Sequence, residues 1–329
     1  MTSKSRVLGV LEENRGQYVS GEELAKQLSL SRSGIWKAIQ ELKKEGHNIS
    51  AVTNKGYCLA AESDLLSVEG MDQFLEPAVS RDRIFIHKML DSTNSEAKRH
   101  AVSGAAPYTV IFAEEQSGGR GRLGRSFFSP KGSGIYMSMI LYPSVSAEKS
   151  ILVTTAASVA VCRAIEAVTG ETCAIKWVND IYLRDRKICG ILTEAVTNFE
   201  TGAIESIVVG IGINFRQKDT DFPEEIRGKA GAVFQEDTRG VTRNQLAAAV
   251  INQLSRMDEM LETGDFIRSY KRRSLVLGKS VVLHTVGKEI PAKVLDIDNT
   301  GGLVVEYEDG RRGTIHSGEV SIRGLFSVE

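Results

Sequence analysis

The sequence predicts an α+β protein, and three observations carry that prediction. The first sixty residues combine short helix signals with one hairpin signal. The long central part mixes apolar strand-like runs with helical ones. The C-terminal part holds only short strand-like runs separated by turn signals. We therefore expect three domains, at residues 1–64, 65–272 and 273–329.

Composition indicates an ordinary globular protein. Of 329 residues, 42% are hydrophobic and 25% are charged, with a net charge of −1, so nucleic-acid binding requires a local basic face. Charges within the N-terminal apolar run argue against a signal peptide, and we expect no bilayer-spanning stretch. The four cysteines form no CxxC pair, which predicts unpaired thiols in a reducing cytoplasm and no zinc site. The five histidines are scattered, and we expect structural roles for them.

The N-terminal part predicts two capped helices and a hairpin. Ser20 followed by Glu23 fits a capping box, and Ser31 caps a second helix that Gly46 ends. The run NISAVTNKGYCLA then alternates about an Asn-Lys-Gly turn, as a short hairpin does. With the helix that precedes them, these elements predict a winged helix-turn-helix.

The second capped helix has one apolar and one polar face. If the apolar residues Ile35, Ala38, Ile39 and Leu42 face inward, six side chains suited to phosphates and base edges face outward. These are Arg32, Ser33, Trp36, Lys37, Gln40 and Lys43. A protein-docking module is the alternative, but the helices, caps and wing together favour DNA binding. A module this small needs dimerisation over two half-sites.

The central part predicts a mixed sheet. Its apolar runs TVIFAEE, GIYMSMIL, CAIKW, KICGILTEAV and ESIVVGIGI are typical of buried strands, and helices are expected at about 147–168 and 243–262. A tight turn near Asp185-Arg186 implies antiparallel pairing of its two flanking strands. Beyond residue 275, turn signals at Gly301-Gly302 and Asp309-Gly310 separate short strands, which predicts a small β-barrel.

A glycine- and arginine-rich loop, SGGRGRLGRSFFSPKGSGIY at residues 117–136, separates two apolar runs. Glycine allows close backbone approach to a ligand, and guanidinium groups suit carboxylate and phosphate oxygens. The loop does not match G-x-x-x-x-G-K-[ST], so by itself it fits a flexible basic surface loop equally well. Four other polar motifs accompany it: LDSTNSEAKR, KWVNDIYL, RKICGILTE and GIGIN. Each has a plain alternative, such as a helix cap, a turn or a solvated charge.

In combination, GRGRLGR, KWVND, RKICGIL and GIGIN have the order and approximate spacing of a known family. The chain resembles bifunctional biotin–protein ligases and biotin operon repressors along essentially its whole length. The resemblance implies a class II synthetase-like ligase domain and an SH3-like C-terminal barrel. Two departures stand out: Val178 replaces a common proline, and Phe127 and Phe128 stand where a tryptophan is common.

The resemblance also implies residue roles. Biotin would be bound by Ser92, Thr93, Asn94, Gln116, Arg120, Gly121, Arg122 and Lys187. The nucleotide would be bound by Arg122, Asn179, Asp180 and Asn214. Arg122 and Lys187 would be catalytic, and the protein itself would supply no metal site, since Mg²⁺ would arrive with ATP near Asp180.

The implied reaction forms biotinyl-5′-AMP and transfers biotin to a lysine of a biotin carboxyl carrier protein. The loop Gly118–Lys131 and a second one around Phe215–Val233 would cover the adenylate. Biotin-responsive repression would follow from an adenylate-bound homodimer on operator DNA. Three alternatives remain at this point: a ligand-sensing transcription factor without catalysis, a lipoate–protein ligase, and a ligase that has lost repression.

Overall fold

The N-terminal domain is a three-helix module with a two-stranded wing, as predicted. The computed structural model describes residues 2–142, 150–197, 204–238, 240–285 and 288–322. Ser20 and Ser31 cap their helices by accepting from the N–H groups of Glu23 and Gly34, at 3.0 and 3.1 Å. Gly46 ends the third helix at φ 112°. The elements are α1 Ser3–Glu13, α2 Gly21–Leu28, α3 Arg32–Glu45, β1 Ile49–Val52 and β2 Gly56–Leu59.

The central domain is built on a seven-stranded mixed sheet, which confirms the predicted fold class. Its strand order is β3-β4-β5-β9-β8-β7-β6; β3 and β4 are parallel, and the other described neighbours are antiparallel. Its strands are β3 Ile84–His87, β4 Val110–Ala113, β5 Gly134–Leu141, β6 Ala174–Lys176, β7 Asp180–Leu183, β8 Arg186–Thr197 and β9 Ile204–Asn214. The turn between β7 and β8 lies at Arg184 and Asp185, one residue before its expected position. Both residues adopt positive φ, as the two central residues of a tight hairpin turn do.

Helices cover both faces of this sheet. Ile111, Ile140 and Val208 pack under α5, while Phe112 and Met137 face the other layer. The sheet's strands are therefore buried on both sides, which explains their continuous apolar runs. The remaining helices are α4 Val68–Asp72, α5 Thr93–Val102, α6 Ser150–Thr169, α7 Arg243–Leu254, α8 Met257–Thr263 and α9 Phe266–Arg273.

Two expectations about helices need correction. The helix expected near 243–262 is two helices, because the chain breaks at Ser255 and Arg256 between α7 and α8. The expectation that no stretch is long enough to cross a bilayer is also wrong. By length and composition alone, Ile151–Thr169 of α6 could cross a membrane. In the fold this helix is mostly buried against the sheet and α7, as a core helix is.

The C-terminal domain is a five-stranded antiparallel sheet in the order β13-β12-β11-β10-β14. Its apolar side chains belong to the same core as the central domain, and Trp177 Nε1 donates to the Gly301 carbonyl at 3.0 Å. The barrel is therefore packed firmly against the sheet that carries the site. Its strands are β10 Ser280–Thr285, β11 Lys288–Ile297, β12 Leu303–Tyr307, β13 Arg312–Ile315 and β14 Glu319–Ile322.

The segment between the winged helix and the central domain is anchored by a buried arginine. Arg243, at the start of α7, is 1% exposed and donates to Glu114 Oε2 at 2.9 Å. It also contacts Asp64, and the Leu66 N–H donates to Glu114 Oε1 at 2.7 Å. The segment that joins the two domains is thus attached to the end of β4, which Glu114 directly follows.

Candidate functional site

A cavity of about 120 Å³ lies where the N-terminus of α5, the glycine-rich loop and the β7–β9 region meet. It gathers residues from segments far apart in the chain. The sequence-predicted residues that line it are Ser92, Thr93, Asn94, Gln116, Arg120, Gly121, Arg122, Asn179, Asp180 and Lys187. Asn214 does not line this cavity and lies instead in a larger adjoining one of about 450 Å³. Asp180 and Lys187 line both cavities, so the two form a continuous site.

The first turn of α5 forms the polar end of the smaller cavity. Ser92 is the N-cap residue, yet its side chain makes no capping hydrogen bond. The Thr93 N–H donates to Gln116 Oε1 at 2.8 Å, and Gln116 Nε2 donates to Ser129 Oγ at 2.9 Å. Gln116 therefore joins the helix start to the far end of the loop. The helix-cap explanation of Ser92 fails in this structure, which favours a ligand-binding role.

The glycine-rich loop folds back on itself beside the cavity. The Gly121 N–H donates to the Arg125 carbonyl at 2.7 Å, and the Phe127 N–H donates to the Gly119 carbonyl at 2.9 Å. Arg122 Nη1 donates to Asn179 Oδ1 at 3.2 Å, whereas the Arg120 side chain is exposed. The two arginine side chains therefore have different surroundings, one paired with Asn179 and the other open to solvent.

The aromatic side chain of Phe127 closes the loop onto the sheet. A Cβ added to Gly212 would lie 2.5 Å from Phe127 Cε1, so only glycine allows this contact. Phe127 also lines both cavities. Phe127 thus forms an apolar wall of the site.

The β7–β8 side of the cavity carries an ion pair. Lys187 Nζ lies 2.7 Å from Asp180 Oδ1. Asn179 Nδ2 donates to the Ile191 carbonyl at 2.8 Å, which fixes its oxygen toward Arg122. The tight β7–β8 hairpin brings these groups together, with a cation, a carboxylate and an amide suited to a charged ligand.

The larger cavity adjoins this ion pair on the side of the barrel. Asn214 Nδ2 donates to the Gly231 carbonyl at 2.8 Å and so holds the 215–233 segment over the end of β9. Lys176 and Lys229 also line it. Burial lowers the pKa of Lys176, because its charged form loses hydration there. Lys187 and Lys229, whose ammonium groups also line the cavity, suit it to an anionic ligand.

Sequence reasoning missed four residues near the site. Ser138 on β5 and Glu194 on β8 contact Asn94, and both interrupt apolar strands, which is the signal that would have found them. Lys176 stands beside the noted KWVND motif. Glu319 comes from the barrel, and no local pattern connects it with a site more than one hundred residues away.

The winged helix presents its predicted contact face to solvent. Arg32, Ser33, Trp36 and Lys37 are exposed, and Trp36 retains 55% of its accessible surface. Gln40 and Lys43 are half-buried on the same helix. The four apolar residues of the opposite face are buried in the domain core. The exposed face therefore offers basic and polar side chains, with Trp36 among them, to a binding partner.

Comparison with known proteins agrees with this architecture. The biotin/lipoate A/B protein ligase family matches residues 86–214, an HTH domain matches 4–58, and a biotin protein ligase C-terminal domain matches 276–323. The bifunctional ligase/repressor BirA of Bacillus subtilis is 30% identical, over 98% of this chain and 99% of its own length. BirA of Escherichia coli is also 30% identical, over 94% of each chain.

Solved structures give the same result for the enzyme part. The biotin protein ligase of Aquifex aeolicus in complex with biotin and ATP has a TM-score of 0.60 and 28% identity. The match covers 73% of this chain and 98% of that one. A winged helix joined to a ligase domain and a small barrel defines a bifunctional ligase with a DNA-binding domain. The chain belongs to the biotin protein ligase family.

Proposed function

We propose that the protein is an ATP-dependent biotin–protein ligase and a biotin-responsive repressor of biotin genes. One observation carries the enzymatic part. Arg122 and Lys187 lie in the same cavity as the polar first turn of α5. One end of the cavity is suited to a polar ring and the other to phosphates and a carboxylate. The proposal of a repressor is supported by the exposed basic face of α3.

In the first reaction, a biotin carboxylate oxygen attacks the α-phosphorus of ATP. A new oxygen–phosphorus bond forms, the bond to the β-phosphate oxygen breaks, and pyrophosphate leaves with the electron pair. Both reactants are anions, so Arg120, Arg122 and Lys187 offset their repulsion. Alignment of the two reactants provides the rest of the rate enhancement, and no nucleophilic side chain is needed.

Magnesium is proposed to enter with the ATP phosphates. Within the described ranges, no group of three His, Cys, Asp or Glu side chains is arranged to hold a metal ion. Mg²⁺ is commonly held by one or two carboxylates together with phosphates and water, so Asp180 fits that limited part. The ion would supply charge neutralisation, while Asp180 also keeps Lys187 in place.

In the second reaction, a carrier-protein lysine amine attacks the acyl carbon of biotinyl-5′-AMP. The carbon–nitrogen bond forms, the bond to the phosphate oxygen breaks, AMP leaves, and the amine loses its proton. The Gly118–Lys131 loop and the 215–233 segment protect the intermediate from water until the carrier arrives. A cytoplasmic location is part of this proposal, because the reaction needs ATP and a carrier protein.

Repression is proposed to depend on linkage between ligand binding and dimerisation. If the adenylate orders loops that also form the homodimer contact, each event must favour the other. A dimer then presents two winged helices to a two-fold operator, which one small module binds too weakly.

The test is incubation with biotin, ATP, magnesium and a biotin carboxyl carrier domain, followed by intact mass measurement. A mass increase of the carrier by one biotin, with pyrophosphate release, is the expected result. If the carrier is not modified and no pyrophosphate is released, the protein is instead a ligand-sensing transcription factor without catalysis. Modification with lipoate in place of biotin would identify a lipoate–protein ligase, and biotinylation without operator binding would identify a ligase without repression.

A further inference from the structure

The orientation of the Asn94 amide is determined by two acceptors behind it. Asn94 Nδ2 donates to the Leu192 carbonyl at 3.1 Å and to Glu194 Oε2 at 2.7 Å. A carbonyl and a carboxylate accept hydrogen bonds and do not donate them. The hydrogen-bond network therefore assigns the NH₂ group to this side and the oxygen to the opposite side.

The Asn94 oxygen lies over the floor of the smaller cavity. A Cβ added to Gly210, which lines the cavity, would come within 2.0 Å of Asn94 Oδ1. Ser138 Oγ lies 2.6 Å from this oxygen and 2.8 Å from Thr93 Oγ1. An amide oxygen can only accept, so Ser138 donates to Asn94 Oδ1 across the 2.6 Å contact. One lone pair of Asn94 Oδ1 then remains for a ligand.

Glu194 can hold Asn94 in this way because both of its oxygens are engaged. Lys98 Nζ donates to Oε1 at 2.5 Å, while Asn94 donates to Oε2. Burial alone would raise the pKa of Glu194, but the hydrogen bonds from Lys98 and Asn94 outweigh it and lower that pKa. The carboxylate is therefore ionised and accepts from two donors at neutral pH.

We propose that Glu194 is a specificity-determining positioning residue that makes Asn94 a hydrogen-bond acceptor for a ring N–H of the ligand. This inference rests on the proposed function. The ureido ring of biotin carries two N–H donors, whereas the dithiolane ring of lipoate carries none. A cavity that presents a fixed acceptor leaves it unpaired when lipoate binds, and an unpaired buried acceptor is costly.

The test is the pair of variants Glu194→Gln and Asn94→Asp/Glu194→Gln, with biotin as the probe in titration calorimetry. A glutamine has an oxygen at only one of the two positions that Oε1 and Oε2 occupy, so Lys98 and Asn94 cannot both keep their acceptor. The Leu192 carbonyl is then the one remaining acceptor that opposes a flip of the Asn94 amide. We expect Glu194→Gln to weaken biotin binding about tenfold and to leave ATP binding unchanged. In the double variant the glutamine donates to the new carboxylate at position 94, which again presents an oxygen to the cavity. Because its other oxygen then faces the Leu192 carbonyl, affinity recovers only in part, to within about threefold of the unmodified protein.

Glu96→Gln is the matched control, because Glu96 lies on the same helix and pairs with Arg99. It should bind biotin as the unmodified protein does. Thermal unfolding of each variant distinguishes loss of folding from loss of binding. If Glu194→Gln does not fold, the double variant serves as the test. Unchanged biotin affinity in Glu194→Gln, or no recovery in the double variant, would overturn the inference. Failure of the unmodified protein to bind biotin would instead overturn the proposed function.

Discussion

The carboxylate of Glu319, on barrel strand β14, lies 2.7 Å from Arg125 Nη1 in the glycine-rich loop. The two residues are 194 positions apart, and both line the proposed active-site cavities. Glu319 is mostly covered, whereas Arg125 is 66% exposed. One ion pair therefore joins the C-terminal barrel to the glycine-rich loop.

Glu319→Gln is expected to loosen the loop without disturbing the barrel. Because exposed ion pairs contribute about 0.2–1 kcal/mol, biotinyl-5′-AMP should dissociate up to about fivefold faster. Stopped-flow displacement of the adenylate measures this rate, and the difference should shrink at high salt. Glu306→Gln, which breaks the Arg312 pair elsewhere in the barrel, is the control. Equal rates in the two variants would contradict the role of Glu319.

Arg122→Ala is expected to leave biotin binding measurable and to slow adenylate formation about a hundredfold, since it removes a cation from the reacting centre. The loss should appear in pyrophosphate release and in retention of the adenylate. Arg311→Ala, on the barrel surface, provides a control with the same change of charge. Normal rate and normal retention in Arg122→Ala would show that this arginine is not catalytic.

Asp180→Asn is expected to raise the magnesium concentration for half-maximal activity about tenfold, because it removes a carboxylate beside the phosphates. It also frees Lys187 from its ion pair. Pyrophosphate release measured over a magnesium series tests this. Asp309→Asn, which breaks an exposed pair with Arg311 on the barrel, should leave the series unchanged. A similar magnesium dependence in both variants would place the ion elsewhere.

Lys37→Ala is expected to weaken DNA binding and to leave biotinylation intact. One lost phosphate contact should reduce the slope of log affinity against log salt by about one. Fluorescence anisotropy with operator DNA selected from random duplexes measures this, with Lys279→Ala in the barrel as control. The same DNA should bind more tightly when biotin and ATP are present. Equal affinity with and without them would contradict ligand-linked repression.

Arg243→Met is expected to cost about 3–5 kcal/mol of folding stability, because it leaves the buried carboxylate of Glu114 and the partly buried one of Asp64 without their cation. Burial already raises the pKa of Asp64, and loss of Arg243 would raise it further. A carboxyl whose pKa is raised on folding stabilises the fold at low pH and loses that contribution as pH rises. The deficit should therefore be largest at pH 7 and smaller near pH 5 in urea unfolding. Arg256→Met, at an exposed pair, should show little change.

Local patterns predicted much of this molecule. Caps at Ser20 and Ser31, alternation in the hairpin, and apolar runs in the central strands lie where the structure has them. The short elements were less visible: β3, α4 and α9 have only four, five and eight residues. The membership of the biotin protein ligase family also followed from motif order, whereas the individual residue roles and domain boundaries stay predictions.

The candidate site, too, could be predicted from the sequence only in part. Residue types that bind anions are visible in the sequence at Arg120, Arg122 and Lys187, because their chemistry is local. Their partners are not visible. Whether Lys187 pairs with Asp180, or Arg122 with Asn179, depends on the turn and loop geometry that brings separate segments together.

Helix starts, strand alternation, the charge of the loop and the family all follow from the amino-acid order, because they depend on neighbouring residues and on the succession of motifs. The folded chain was needed to establish that the oxygen of Asn94 faces the cavity and that Glu319 pairs with the loop. Such contacts join residues about one hundred or more positions apart, and their geometry depends on how whole elements pack. The direction of a hydrogen bond within them follows from the complete network around each polar group.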